Sequence, residues 1–262
     1  MMSGGLASSL SSAIVNQDDP ELIRDGAPAY LLLIEGMIHD EPQNSSLLQA
    51  GANLYTLYAA IFVDDSERAA RIGNKARNFA NRALCIEVRA SCGLESIPMA
   101  ELDSLIDQIN IENIDALYTG AMSWALWVQQ RSGDWNAIAE IPKVEAMLQR
   151  VVVLNENYRG GEAHLYLGIL KSLLPPALGG RPADGERHFK RALELSKGEN
   201  LNIHVEYAKR YARTVFDRKL HDSLLTTVIN SDPVVNGLTL SNVLAQRSAK
   251  SLLADSDDYF LE

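Results

Sequence analysis

Apolar residues recur at spacings of three and four along almost the whole chain. In residues 45–62 and 66–88 the spacing is carried by Leu47, Ala50, Leu54, Leu57, Tyr58, Ile61, Ala69, Ile72, Ala76, Phe79, Ala80, Ala83 and Leu84. Such spacing places apolar side chains on one face of a helix, whereas strands show a period of two, which this sequence lacks. The pattern predicts an all-α fold of roughly eleven to thirteen helices.

Acidic residues and prolines mark several of the expected helix starts. Asp18-Asp19-Pro20-Glu21 precedes one apolar segment, and Asp64-Asp65-Ser66-Glu67 precedes another. These residue types are typical of the first helical turn. The run Asp25-Gly26-Ala27-Pro28 leaves open whether residues 20–37 form one helix or two.

Two short phrases occur twice, which indicates paired-helix repeats. Leu117-Tyr118-Thr119-Gly120 is echoed by Leu165-Tyr166-Leu167-Gly168, and Arg82-Ala83-Leu84 is echoed by Arg191-Ala192-Leu193. A glycine inside an apolar helix lets a neighbouring helix approach closely, and repeat units bury their faces by stacking. The units predict a degenerate tetratricopeptide-like arrangement, and they allow either an open superhelix or a compact helical domain.

We divide the chain into three parts on composition. Residues 1–16 form an N-terminal segment or short helix, residues 17–255 a single helical repeat domain, and residues 256–262 an acidic C-terminal tail.

Charge and hydropathy exclude two classes of partner. The net charge is −10 and the pI is near 5.0, so the surface repels phosphate backbones. No apolar stretch approaches the roughly 18 residues of a membrane span. The first ten residues lack a basic segment and a continuous apolar core, so we expect no signal peptide among them.

The only two cysteines, Cys85 and Cys92, are seven residues apart. They form either a local disulfide in an oxidising compartment or two separate thiols, and the sequence leaves both alternatives open. Two cysteines without a nearby histidine pair do not predict a zinc site.

The residues that carry chemistry do not form a catalytic pattern. The five histidines, His39, His164, His188, His204 and His221, include no pair at metal-ligand spacing. There is no nucleophile elbow, phosphate-binding loop or dinucleotide fingerprint. We therefore expect no enzyme, no cofactor and no metal. A polar set around one helix junction favours interhelical hydrogen bonding: Arg210, Arg213, Asp217, Arg218, His221, Asn242, Gln246 and Arg247.

Aromatic residues supply the candidate ligand site. Trp124, Trp127 and Trp135 lie close together in sequence, with Tyr118 before them, and Tyr166 occupies the matching position of the second phrase. Core packing explains them, and an apolar channel or pocket lined by Tyr118, Trp124, Trp127 and Tyr166 is the functional alternative. The basic residues of 66–88, which include Arg71, Lys75 and Arg77, are interpreted as a solvated face.

Several phrases together resemble one known family, the T-components of TRAP transporters, also described as TatT-like periplasmic lipoproteins. The phrases are Asp18–Pro20, Arg24–Leu31, Asp134–Ala139, His164–Gly168, Ser172–Gly180 and Leu238–Arg247. The most specific part is the loop that contains Leu174, Pro175, Pro176, Gly179 and Gly180.

The resemblance implies a helical protein with degenerate tetratricopeptide-like units, located in the periplasm. It implies a precursor anchored through a lipidated N-terminal cysteine, although no such cysteine precedes Ser3. It also implies an accessory transport role beside a periplasmic solute-binding protein, for organic acids or hydrophobic small molecules. Members are expected to form homotrimers with apolar channels.

Two functional interpretations follow. The first is a non-catalytic accessory component of a periplasmic TRAP-type uptake system that associates with a solute-binding protein and forms a homo-oligomer. The alternative is a tetratricopeptide-like scaffold that binds a peptide or protein in a groove lined by Asn, Lys and Arg. Asn74, Lys75 and Arg77 are of these types but do not recur at the repeat interval.

Overall fold

The computed structural model describes residues 9, 11–174, 176 and 179–260. Within these residues thirteen α-helices follow one another, joined by short turns, and no β-strand is present. The predicted all-α class is confirmed, and the helix number lies within the predicted range. The tetratricopeptide-like character of the repeats stays a prediction.

The chain divides into two compact units. The first is formed by Glu21–Asn155, and the second combines Ser12–Pro20 with the chain from Glu156 onward. The sequence-based boundaries, with one helical domain over residues 17–255, stay predictions.

The helices of the first unit pack as consecutive and alternate neighbours: α2 lies on α3, α3 on α5, and α5 on α7. Their bounds are α1 (Pro20–Asp40), α2 (Ser45–Ile61), α3 (Ser66–Glu87), α4 (Met99–Ile106), α5 (Ile114–Gln129), α6 (Trp135–Ile138) and α7 (Ile141–Leu154). α1 is one continuous helix through Gly26 and Pro28, which answers the question left open by the sequence.

Side chains cap the N-termini of α2 and α3, and small residues allow these two helices to pack closely. Asn44 Oδ1 accepts a hydrogen bond from the Leu47 amide, and Asp65 Oδ1 accepts one from the Arg68 amide. The buried residues of the pair include leucines and small alanines: Leu47, Leu48, Ala52, Ala76, Ala80, Ala83 and Leu84. Small residues at a helix contact shorten the distance between axes, so α3 is held firmly along its length.

The second unit contains a helix of irregular winding. Its elements are α8 (Glu162–Lys171), α9 (Pro182–Leu195), α10 (Leu201–Glu206), α11 (Arg218–Asn230), α12 (Thr239–Ala254) and α13 (Ser256–Phe260). α10 continues into π-helical turns over Tyr207–Ala212. The start of the predicted acidic tail is helical here, and Phe260 at its end is buried.

The repeated glycines let helices approach closely, as the sequence indicated. A side-chain carbon at Gly120 would lie 3.0 Å from Met147 Cε, and one at Gly168 would lie 3.0 Å from the Phe189 ring. Phe189 is fully buried and stacks on Tyr207, with ring centroids 5.1 Å apart. The Gly168 position therefore decides how closely α8 approaches α9.

Two amide side chains of α12 join three segments of the second unit. Asn242 is fully buried, accepts a hydrogen bond from the Leu201 amide at 2.9 Å, and donates to the carbonyls of Glu199 and Pro233. Gln246 donates to the carbonyls of Val228 and Ser231. These bonds satisfy backbone groups at helix ends, which otherwise lack intrahelical partners. The predicted interhelical hydrogen bonding is confirmed at Asn242 and Gln246.

None of the described helices combines the length and apolar character needed to cross a membrane.

We expect Gly168→Ala to lower the free energy of unfolding by about 1–3 kcal/mol, because the buried Phe189 ring cannot move away from the new methyl group. The matched control is Gly133→Ala in the turn after α5, where no atom lies within 4 Å of the added carbon. Alanine there should raise stability by up to about 1 kcal/mol, because it lowers the conformational entropy of the unfolded chain. Urea unfolding of both variants makes the comparison, and a Gly168→Ala protein as stable as Gly133→Ala would contradict the packing argument.

Candidate functional site

The side chain of Arg77 on α3 lies between two tryptophan rings of α5. Its Cζ is 4.5 Å from the centroid of Trp124 and 4.4 Å from that of Trp127. A guanidinium group is planar and weakly hydrated, so it stacks on indole faces with a favourable cation–π contribution. The stack joins α3 to α5 and holds a positive charge at a defined place.

Hydrogen bonds orient the outer tryptophan of this stack. Trp127 Nε1 donates to Asn74 Oδ1 at 2.9 Å, and Arg131 donates to the same oxygen at 3.0 Å. The Arg131 guanidinium also lies over the Trp127 ring at 4.6 Å. Trp127 is therefore held between two cations and by a fixed acceptor.

Burial makes the charge on Arg77 costly, and nearby carboxylates offset part of that cost. Loss of solvent lowers the pKa of Arg77, whereas Glu95 and Glu140 act in the opposite direction. An Arg77 terminal nitrogen lies 3.4 Å from Glu95 Oε2. Arginine remains protonated at any physiological pH, so the site keeps its cation.

One face of α3 beside the stack forms a polar groove of about 340 Å³. The residues that α3 contributes are spaced by three or four positions: Asn74, Arg77, Asn78, Asn81, Arg82 and Cys85. Arg82 donates to the Pro42 carbonyl at 3.0 Å, which orients its guanidinium. The groove thus combines two arginines with three side-chain amides.

A disulfide bridge holds the turn that brings the last lining residues to the groove. Cys85 near the end of α3 is bonded to Cys92, so the disulfide alternative left open by the sequence is the one found. The bridge closes a short loop and leads into Gly93 and Glu95, which complete the groove lining. Glu95 Oε2 accepts a hydrogen bond from Asn81 Nδ2 at 2.7 Å.

The second unit holds a chain of hydrogen bonds between two histidines and an ion pair. Arg191 donates to both carboxylate oxygens of Glu156, at 2.9 and 2.6 Å. These bonds lower the pKa of Glu156 to about 2. His164 Nε2 lies 3.3 Å from Glu156 Oε1, and His164 Nδ1 lies 2.8 Å from His188 Nδ1.

The ionised Glu156 sets the tautomers of both rings. Since this carboxylate only accepts, His164 Nε2 carries the hydrogen, and in the neutral ring its Nδ1 accepts one from His188 Nδ1. Burial lowers the pKa of both histidines, for His188 to about 4. The pair is therefore neutral near pH 7 and serves as a hydrogen-bonded link from α8 to α9.

The polar cluster near the C-terminus is fully engaged in structural contacts. Arg213 donates to His221 Nε2 at 3.2 Å, and His221 Nδ1 pairs with Asp222 Oδ1 at 2.8 Å. Both nitrogens of the buried His221 ring are occupied, so the ring has no free position to act as a general base.

Further ion pairs of this cluster tie α13 to the helices beside it. Arg213 contacts Asp255 and Arg218 contacts Asp257, while Ser256 donates to Asp222. Arg210 pairs with Glu206, and Asp217 caps α11. In this cluster too, the predicted interhelical hydrogen bonding is found.

The structure places the predicted channel residues in different surroundings. Tyr118 and Trp124 are buried in the first unit, and Trp124 is inaccessible to solvent. Trp127 borders the α3 groove through Asn74 and Arg77. Tyr166 belongs to the second unit, where it packs against the core around Phe189. An apolar channel formed by these residues stays a prediction.

The motif loop connects α8 to α9. The Arg181 amide donates to the Lys171 carbonyl at 2.9 Å and closes the loop, while the Gly179 amide donates to the Pro176 carbonyl. Leu174 is exposed, and Gly179 adopts a positive φ of 86°. Gly180 is half-buried, and Pro175 lies outside the described residues.

Sequence reasoning missed the groove because it treated the basic side of α3 as uniformly solvated. Arg71 is indeed exposed, but only 14% of the Arg77 side chain reaches solvent. The available signal was Asn74, Asn78 and Asn81 on one face, because asparagine is a poor helix former. Within the described residues no group of His, Cys, Asp and Glu is arranged to hold a metal ion.

These features define an all-helical protein of packed helix pairs that presents a charged groove on one helix. A family model described as TRAP transporter T-component matches residues 16–260. The chain belongs to the TRAP transporter T-component family, so it has an accessory role in TRAP transport. A comparison with curated proteins finds no match.

We expect Arg77→Lys to reduce the free energy of unfolding by about 1–2 kcal/mol, since an ammonium group cannot stack on two rings. Arg71→Lys on the same helix is the matched control, and it should change stability by less than about 0.5 kcal/mol because its side chain is exposed. Chemical unfolding followed by tryptophan fluorescence measures both. Equal effects of the two substitutions would show that the stack does not stabilise the fold.

We expect stability to fall as pH is lowered from about 6.5 to 4. In this window His164 and His188 bind protons in the unfolded chain. In the folded protein the same two residues bind fewer protons, because burial lowers their pKa values. His188→Gln should make the fall in melting temperature shallower, whereas His39→Gln, at an exposed position of α1, should leave it unchanged. Parallel pH profiles of wild type and His188→Gln would refute the assignment.

Proposed function

We propose that this protein is a non-catalytic accessory component of a periplasmic TRAP-type uptake system. In this role it associates with the solute-binding protein of that system and offers a pocket to small organic or hydrophobic ligands. The observation that carries the proposal is the family match over residues 16–260. The channel around Tyr118, Trp124, Trp127 and Tyr166 is one form that such a pocket would take.

The bonding of the titratable groups supports a role without catalysis. His221 is enclosed by Arg213 and Asp222, and His164 is enclosed by Glu156 and His188. General acid–base chemistry needs a group within reach of a substrate proton. Both ring nitrogens of His164 and of His221 are instead engaged in hydrogen bonds within the fold.

The disulfide supports a location outside the cytoplasm. Disulfides persist in oxidising compartments such as the bacterial periplasm and are rare in the cytosol. The Cys85–Cys92 bridge therefore fits a periplasmic protein. A lipid anchor on the full-length precursor is part of the same proposal.

The outer face of α1 supports self-association. Leu22, Leu32 and Leu33 are exposed there, with Leu32 at 72%, and a carbon added at Gly26 or Gly36 would touch nothing. Glycine inside a helix costs about 1 kcal/mol relative to alanine. In the proposed homotrimer, a second copy would pack closely against this face, and the two glycines would permit that close approach.

The scaffold alternative is favoured by one observation. The α3 groove contains Asn74 and Arg77, two of the residues named for a peptide-binding groove. Such a scaffold would bind an extended peptide. The accessory component would instead bind the solute-binding protein, so the two functions differ in their binding partner.

Light scattering of the purified chain, alone and with the solute-binding protein encoded beside it, tests the proposal. We expect an oligomer, a trimer by family resemblance, that takes up the solute-binding protein. Leu32→Asp should reduce the oligomer to monomers, because a buried unpaired charge destabilises an apolar contact. A wild-type chain that is monomeric and ignores the solute-binding protein would refute the proposal.

Val153→Asp is the matched control for the oligomer. Val153 is 73% exposed on α7, so the same charge is added to an equally exposed apolar position on another helix. This variant should keep the wild-type mass. Loss of the oligomer in both variants would mean that charge, and not the α1 face, decides association.

A further inference from the structure

The α3 groove carries a positive charge on a protein that is otherwise acidic. Its lining contains Arg77 and Arg82 but only one carboxylate, that of Glu95. The whole chain has a net charge of −10. A local excess of positive charge in a concave site attracts anions and raises their local concentration.

A carboxylate already lies in this groove, and it belongs to the chain itself. Glu95 Oε2 accepts from Asn81 Nδ2 at 2.7 Å and lies 3.4 Å from an Arg77 terminal nitrogen. Half of the Glu95 side chain is exposed, so it can leave the groove without disturbing the core. The contacts of Glu95 show that the groove donors suit the carboxylate group.

Further donors of the groove are free for a ligand. Asn78 is exposed and has no hydrogen-bond partner within the described residues. Asn74 uses its oxygen to accept from Trp127 and Arg131, which leaves its NH₂ group as a donor. Arg82 uses one terminal nitrogen on the Pro42 carbonyl and keeps further N–H groups.

We propose that the α3 groove is a carboxylate-binding site, in which the carboxylate of a small organic acid replaces that of Glu95. Arg77, held by Trp124 and Trp127, supplies the fixed charge, and Asn78, Asn81 and Arg82 supply the hydrogen bonds. The volume of about 340 Å³ is at the low end of ligand pockets, which suits a small molecule better than an extended peptide.

This inference rests on the ligand-binding part of the proposed function, and its test uses the isolated chain. A negative result would leave the association with the solute-binding protein untouched. If the chain failed to associate with the solute-binding protein, ligand binding in the groove could still be tested in the same way.

The experiment titrates butyrate into a Trp135→Phe background and follows tryptophan fluorescence, with calorimetry as a second readout. Trp135 is 82% exposed on α6, and its removal leaves Trp124 and Trp127, which both contact Arg77, as the only reporters. Butyramide, in which an uncharged amide replaces the carboxylate, is the control ligand for butyrate. We expect saturable binding of butyrate and none of butyramide.

Two substitutions in the groove should act in opposite directions. Glu95→Gln removes the competing carboxylate and should tighten butyrate binding about fivefold, whereas Asn78→Asp adds a negative charge and should weaken it about fivefold. Asn136→Asp is the matched control, because Asn136 is an exposed residue of α6 outside the groove. It should bind butyrate as wild type does.

Three results would overturn the proposal. The first is equal binding of butyramide and butyrate, and the second is a Glu95→Gln variant that binds butyrate no more tightly than wild type. The third is binding of tetra-alanine, which has a free terminal carboxylate, without binding of butyrate, because that would make the groove a peptide site. Circular dichroism of each variant confirms that the fold is intact.

Discussion

The stacking of Arg77 between Trp124 and Trp127 is the interaction on which the first unit's groove depends. A buried cation loses hydration, and only partners that meet it on several sides offset this cost. The two rings cover its faces, and Glu95 compensates its charge. As a result α3 cannot rotate against α5 without exposing the rings or leaving the cation unpaired.

The same principle appears in the second unit with other residue types. Glu156 is fixed by two hydrogen bonds from Arg191, and this ionised carboxylate determines which nitrogen of His164 carries the hydrogen. His164 in turn determines the tautomer of His188. One ion pair thereby orders two rings on neighbouring helices, and burial keeps both rings neutral.

Much of the fold was predictable from the chain, because helices are encoded locally. The spacing of apolar residues in α2 and α3 indicated helices there, and the repeated phrases marked Gly120 and Gly168 as points of close approach. The π-helical turns at Tyr207–Ala212 were not predicted. They begin at Tyr207, which stacks on Phe189, and the spacing of apolar residues does not report such a local change of winding.

The candidate site was predictable only in part. Asn74 and Arg77 were recognised as groove-type residues, and Trp127 as a candidate ligand contact, but nothing in the one-dimensional pattern joined them. Arg77 and Trp127 lie on different helices, and only the packing of α3 on α5 brings the guanidinium to the ring. Glu95 comes to the groove through the turn that the Cys85–Cys92 bond holds.

The amino-acid sequence alone was enough to establish the helical class, the approximate number of helices, the absence of a catalytic motif and the family. These properties depend on residue types and short-range spacing, which a linear pattern records directly. The tertiary structure alone decided that one arginine of a basic helix face is buried between tryptophans while Arg71 stays in solvent. That difference depends on which neighbouring helix covers each position, and coverage is a property of packing rather than of periodicity.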